Sequence, residues 1–192
     1  MNLLDWLDAL DRQVTLALNQ QHNLALDHLA WLLSSKVFWY PFYALLIGWL
    51  VRTYRLKVLW VLLAIAVVIL LTDRISSGWL KPTVARLRPT HDPVLGPLLH
   101  TVLGYRGGLH GFVSSHAANT VGLAAFLGPL VALRLPWLPT LLVVWAVLVG
   151  LSRVYLGVHY LGDVVAGSLL GLAAGAAVRL GLLRLLPQVK SG

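Results

Sequence analysis

The chain of 192 residues contains no cysteine. That excludes a disulfide framework, a thiolate nucleophile and a Cys-based zinc site, and it leaves the redox compartment unread. Glutamate is missing too: all seven acidic residues are aspartates. Charge of either sign is scarce, with 11% of residues charged against 58% hydrophobic. A soluble domain carries about 25% charged residues, so the deficit points to a bilayer as the solvent. The charge that remains leans positive, at +8. A nucleic-acid surface would gather those cations into a stripe. Here they lie scattered between apolar runs, as the flanks of membrane helices do, and no nucleic-acid partner is expected. The opening MNLLDWLDALDRQ has no basic leader and no long apolar core, so it is not expected to act as a cleavable signal.

The chain reads as one all-α, polytopic membrane bundle, residues 36–192, preceded by an amphipathic interfacial segment, residues 1–35. Leu3, Leu7, Leu10, Val14 and Leu18 recur at helical spacing, with Asp5, Asp8, Asp11 and Arg12 mostly elsewhere, the pattern of a helix lying on a membrane surface. Five spans are expected: Val37–Leu50, opening with the aromatic cluster VFWYPFY; Val58–Thr72, continuing as helix to Leu80 before Pro82; Ala117–Leu133; Leu135–Ser152; and Val164–Val178. The last carries Gly167, Ser168, Gly171, Ala174 and Gly175, small residues that let helices pack closely. Several runs fall short of the roughly 20 residues a span needs. Polar residues at one end and snorkelling cations at the other make up the difference.

Arg52, Arg55 and Lys57, then Arg134, then Arg179, Arg184 and Lys190 fall on one side, which the positive-inside rule makes cytoplasmic. Lys81, Arg86, Arg88, Arg106 and Arg153 fall on the other, against the rule unless something anionic holds them there. Three polar clusters share that outer level: KPTVARLRP from Lys81, VSSHAANT from Val113, and SRVYLGVHYLGD from Ser152 to Asp163. His159 and Asp163, four apart, share a helix face. They are either an interfacial polar contact or an imidazole whose tautomer and nucleophilicity a carboxylate sets. Ser114 and Ser115 read as a helix N-cap, which also leaves backbone N–H groups free for an anion, with His116 in the first turn. Lys81, Arg88 and Arg153 read singly as snorkelling anchors and together as phosphate ligands, Arg for its bidentate fork. His91, Asp92, His100 and His110 read as solvated loop residues.

Lys81, six residues, Arg88-Pro89 resembles the first signature of the type 2 phosphatidic acid phosphatase superfamily, which includes membrane lipid phosphatases such as bacterial undecaprenyl-diphosphate and lipid A phosphatases. Ser152-Arg153, five residues, His159, three residues, Asp163 matches the third signature completely. The middle signature, usually Pro-Ser-Gly-His, here reads Val113-Ser114-Ser115-His116. The resemblance implies that His159 attacks phosphorus with Asp163 orienting it and that His116 protonates the leaving oxygen. It also implies that Lys81, Arg88, Ser114, Ser115 and Arg153 hold the phosphate. No metal and no cofactor are implied. The partners implied are a lipid phosphate substrate and a membrane, in a bacterial inner membrane with the site on the outer face. Undecaprenyl diphosphate is the leading substrate expectation, with lipid A phosphate, phosphatidylglycerophosphate and phosphatidic acid as alternatives. Two other readings stand beside it: a metal site formed by His116, His159 and Asp163, and a non-catalytic phospholipid-binding or transport protein.

Overall fold

The computed structural model describes residues 2–189, apart from the side chain of Leu4. Lys190, read from the sequence as a cytoplasmic cation, lies outside them. Eight α-helices follow in order: α1 (Leu3–Asn19), α2 (Leu24–Ser34), α3 (Tyr40–Tyr54), α4 (Val58–Asp73), α5 (Lys81–Val84), α6 (Ser115–Val131), α7 (Leu138–Tyr155) and α8 (Leu161–Leu185). Among the described residues, three stretches are long and apolar enough to cross a membrane: Val37–Val84, Leu138–Tyr155 and Leu161–Leu185. The first holds α3, then α4 with its continuation into the short α5, because the chain turns at Arg55, whose positive φ ends α3. With α6 these make the five expected spans. α6, at 17 residues with a polar first turn, is not one of those three stretches, yet it is the most enclosed helix, with Phe126, Leu127 and Val131 fully buried. The chain is an integral membrane protein, and leucines such as Leu45 and Leu59 stand exposed on its outer helices.

Inside a bilayer, apolar burial adds little, because lipid is as apolar as leucine; close backbone approach holds helices together instead. Gly167, Gly171 and Gly175 form one stripe of α8 against α6. A Cβ on each would strike the carbonyl of Ser114, Ala118 or Gly122 in turn. This ladder fixes the N-terminus of α8 against that of α6, where the Ser114 amide donates to the Asp163 carbonyl at 2.9 Å. At the far end, Lys57 donates to the Gln188 carbonyl and Arg134 lies over the Tyr54 ring.

α1 is seated with its polar face inward. Thr15 and Asn19 are buried and Asp8, Asp11 and Arg12 half-covered, while Leu3, Trp6, Leu7 and Leu10 are exposed. Asn19 donates to the carbonyls of His100 and Tyr155 at 2.9 and 2.8 Å and accepts from the His100 amide. The amphipathic period thus places the polar stripe against the protein and the apolar stripe outward.

Candidate active site

Three segments build the site. The first is the end of α4. The helix does not stop before Pro82. It widens into a π-helix over Arg74–Leu80, a form often found at functional sites, and runs on through α5 until Ala85 adopts the left-handed conformation. This path brings Ser76, Ser77 and Lys81 to one hydroxyl, that of Ser115, with Ser76 at 2.9 Å and Ser77 at 2.8 Å.

The second is the loop 85–114, which is tightly bonded rather than loose. Arg88 N donates to Leu109 O and Gly111 N to Arg86 O, pairing 86–88 with 109–111. Thr90 and Arg106 exchange bonds through each other's carbonyls. Gly107 has φ +68° and leaves room for the Arg88 guanidinium exactly where a side chain would stand. Asp92 is buried, not solvated as its loop position suggests. It accepts from Arg12 at 2.7 Å, from the Tyr160 hydroxyl, and from the amides of Val94 and Leu95. Burial alone would raise its pKa, but the Leu95 amide and Arg12 hold it below the usual carboxylate range. His100 likewise pairs with Asp27 and stacks on His22.

The third is the junction of α7 and α8. Arg153 donates to the hydroxyls of Ser34 and Tyr105. His159 is buried, with Nδ1 facing Asp163 Oδ2 at 3.5 Å and the Gly111 backbone beyond it. Asp163 is fully enclosed. Its Oδ1 takes Arg86 at 2.9 Å and its Oδ2 the Tyr160 amide at 3.1 Å.

These segments enclose one cavity of about 670 Å³. Lys81, Arg88, Ser115, His116, Arg153 and His159 all line it, so both imidazoles open into the same space. Asp163 stands behind His159. Ser114, expected at the phosphate, differs: it is fully buried, its hydroxyl caps α6 at the Ala117 amide, and it does not line the cavity. Below the polar end, the cavity runs between α3, α4 and α6 along Leu46, Ile47, Leu50, Ile65, Ile69 and Leu123.

The profile described as PAP2 superfamily matches residues 57–185. The chain belongs to the PAP2 superfamily. It is 38% identical over 171 residues to a lipid A 4'-phosphatase of Bacteroides thetaiotaomicron, covering 88% of this chain and 75% of that one. It is 32% identical over 176 residues to a lipid A 4'-phosphatase of Porphyromonas gingivalis, covering 90% and 72%. Its fold is similar to a transmembrane PAP2-type phosphatidylglycerolphosphate phosphatase from Bacillus subtilis. The TM-score is 0.68 at 24% identity, over 93% of this chain and 87% of that one. This PAP2 protein is a membrane lipid phosphatase.

The electrostatics of the PAP2 cavity suit a bound phosphate. Of the five cations that the sequence reading placed against the positive-inside rule, Lys81, Arg88 and Arg153 face the cavity, whereas Arg86 binds Asp163 behind His159 and Arg106 braces the loop. Arg88 NH1 and Arg153 Nε are buried without a hydrogen bond, the state of donors awaiting an acceptor. Burial, then Arg88, Arg153 and Lys81, holds the His159 pKa well below its usual value, so the imidazole is neutral near pH 7 and its lone pair available. Among the described residues, no three His, Asp, Glu or Cys groups are arranged to hold a metal.

Sequence reasoning missed Arg86, Gly111 and Tyr105. Arg86 lies two residues from a motif arginine yet binds Asp163, Asp8 and Asp11 and stacks 3.9 Å over the Tyr160 ring. A Cβ on Gly111 would come within 2.9 Å of Asp163 Oδ2. Tyr105 lines the cavity beside Arg153. Only Arg86 left a signal, as a cation on the outer side without a motif role.

Proposed function

We propose that this phosphatase removes a phosphate monoester from a lipid A-type glycolipid through a phosphohistidine on His159. The observation that carries the chemistry is the convergence of His159, His116 and three cations on one cavity that continues into an apolar groove. The His159 ring nitrogen away from Asp163 attacks phosphorus. The N–P bond forms as the P–O bond to the lipid breaks, and His116 gives a proton to the departing oxygen. Lys81, Arg88 and Arg153 offset the charge on the equatorial oxygens. Water then attacks phosphorus as His116 takes its proton, the N–P bond breaks, and inorganic phosphate leaves. The lipid A substrate is supported by the two lipid A 4'-phosphatases, whose similarity spans nearly the whole chain.

A second reading, a polyprenyl diphosphate, is favoured by two features. The groove follows α3 from Tyr40 to Leu50, about 15 Å at roughly 1.5 Å per residue, and is suited to one tail. A fourth cation, Lys36, lines the cavity, and its ammonium makes no hydrogen bond or ion pair among the described residues and could meet a second phosphate.

The test is phosphate release by the purified protein in lipid nanodiscs, over lipid A, undecaprenyl diphosphate, phosphatidylglycerophosphate and phosphatidic acid, with EDTA and vanadate arms. The expected result is fastest release from lipid A, resistant to EDTA, blocked by vanadate and abolished in His159→Ala. Fastest release from the diphosphate selects the second reading. Binding without release in the wild-type protein rejects both. The cavity is assigned to the outer face because Arg52, Arg55, Lys57, Arg134 and Arg184 lie at the opposite helix ends. The lack of native cysteine makes this directly testable: a cysteine at Val94 should react with an impermeant thiol reagent in whole cells and one at Leu56 should not, and the reverse labelling would invert the orientation.

A further inference from the structure

We infer that Asp11, on the N-terminal helix α1, is a positioning residue for the His159–Asp163 pair. The inference rests on the phosphohistidine reading above. Asp163 needs such support, because it stands 3.5 Å from His159 Nδ1, too long for a good hydrogen bond to fix either group. What holds Asp163 is its other neighbours, Arg86 and the Tyr160 amide.

Asp11 controls both sides of that arrangement. Its Oδ1 accepts from the Gly162 amide at 2.8 Å, across 151 residues of sequence. Gly162 lies in the first turn of α8, where amides lack helical partners and a negative charge is favoured. Asp163 already accepts from the Tyr160 amide at the cap, and the remote Asp11 carboxylate satisfies the next free amide of that turn, that of Gly162. Its Oδ2 accepts from Arg86 NH2 at 2.9 Å, and Arg86 NH1 binds Asp163 Oδ1 at 2.9 Å. One carboxylate thus braces the start of α8 and, through Arg86, the Asp163 carboxylate four residues after His159.

The contact is built from both sides. A Cβ at Gly162 would fall 2.7 Å from Asp11 Oδ2, so glycine is what admits the aspartate. Asp11 is largely covered, whereas Asp8, which also touches Arg86, is 47% exposed and makes its ion pairs to Arg12 and Arg86, none to α8. The pairing also accounts for the inverted seating of α1. Its charged stripe carries Asp11 to the rear of the site, and its exposed leucines lie outward.

The experiment compares wild type, Asp11→Ala and Asp11→Asn in nanodiscs, measuring kcat, KM, the rate of phosphoenzyme formation and thermal unfolding. Asn keeps an acceptor for Gly162 but loses the charge facing Arg86. Asp11→Ala is expected to lower kcat about tenfold to a hundredfold with KM within about twofold, since small misplacement of a reacting group costs rate. Asp11→Asn should lower kcat less, about threefold to tenfold, and phosphoenzyme formation should slow by the same factor in each. A lower unfolding temperature with unchanged kcat would mark Asp11 as a structural clamp and overturn the inference, as would a KM rise at constant kcat. Should Asp11→Ala fail to fold, Asp11→Asn is judged by the same criteria. Absence of a phosphoenzyme in wild type would reject the phosphohistidine reading instead, leaving the kcat comparison to decide the role of Asp11.

Discussion

The two faces of His159 are charged in opposite ways. On the cavity side stand Lys81, Arg88 and Arg153, cations in excess with buried nitrogens left unbonded on both arginines. On the rear side stand Asp8, Asp11, Asp92 and Asp163 with Arg12 and Arg86, every carboxylate bonded to a guanidinium. The difference separates two uses of arginine. Unsatisfied cations hold potential for an incoming anion. Saturated ones hold geometry, because removing any member strands a buried charge. Arg86 and Arg88, two residues apart, fall on different sides of this divide.

The contrast can be broken at either side. Arg88→Gln should lower kcat/KM about 10²- to 10³-fold with thermal stability nearly unchanged, as for a donor aimed at transition-state charge. The same variant has a sign in pH. Arg88 is the first of the cations that depress the His159 pKa. Removing it raises that pKa, so the acid limb of kcat/KM, measured on the residual activity, should move to higher pH. An unmoved limb would separate Arg88 from His159. Arg86→Gln should show the opposite balance. It should lose about 3 kcal/mol of stability, at the low end of the range for breaking a buried pair because Arg86 is partly exposed. Denaturant or thermal unfolding in detergent reads this, and unchanged stability would mean the rear network is dispensable. The smallest effect belongs to Gly111→Ala. Its Cβ would press Asp163 Oδ2 and should lower kcat about tenfold; a wild-type rate would show that Asp163 tolerates displacement.

Much of this was legible beforehand. The hydropathy pattern marked the five spans, and the glycine spacing in Val164–Val178 marked the face that meets α6. The motif spacing picked Lys81, Arg88, His116, Arg153 and His159 for one cavity. Ser114 was misplaced because its hydroxyl serves the helix cap, a competing use of the same atom that spacing does not resolve. Ser115, standing where the usual signature has glycine, carries a hydroxyl that meets Ser76, Ser77 and Lys81. Asp92 and His100 read as solvated because loop residues usually are, yet both are paired by partners on α1 and α2.

By itself, the sequence determined the solvent, the five spans and a set of polar groups that converge on one cavity. These follow from local facts: apolar length, period and the chemistry of residues at fixed spacing. Only the tertiary structure decided which way α1 turns its polar face and that Asp11 reaches Gly162 across 151 residues. It also decided that Arg86 braces while Arg88 waits. Each of these depends on where a charged group finds its partner, and in a low-dielectric interior that partner is chosen by distance in space, not along the chain.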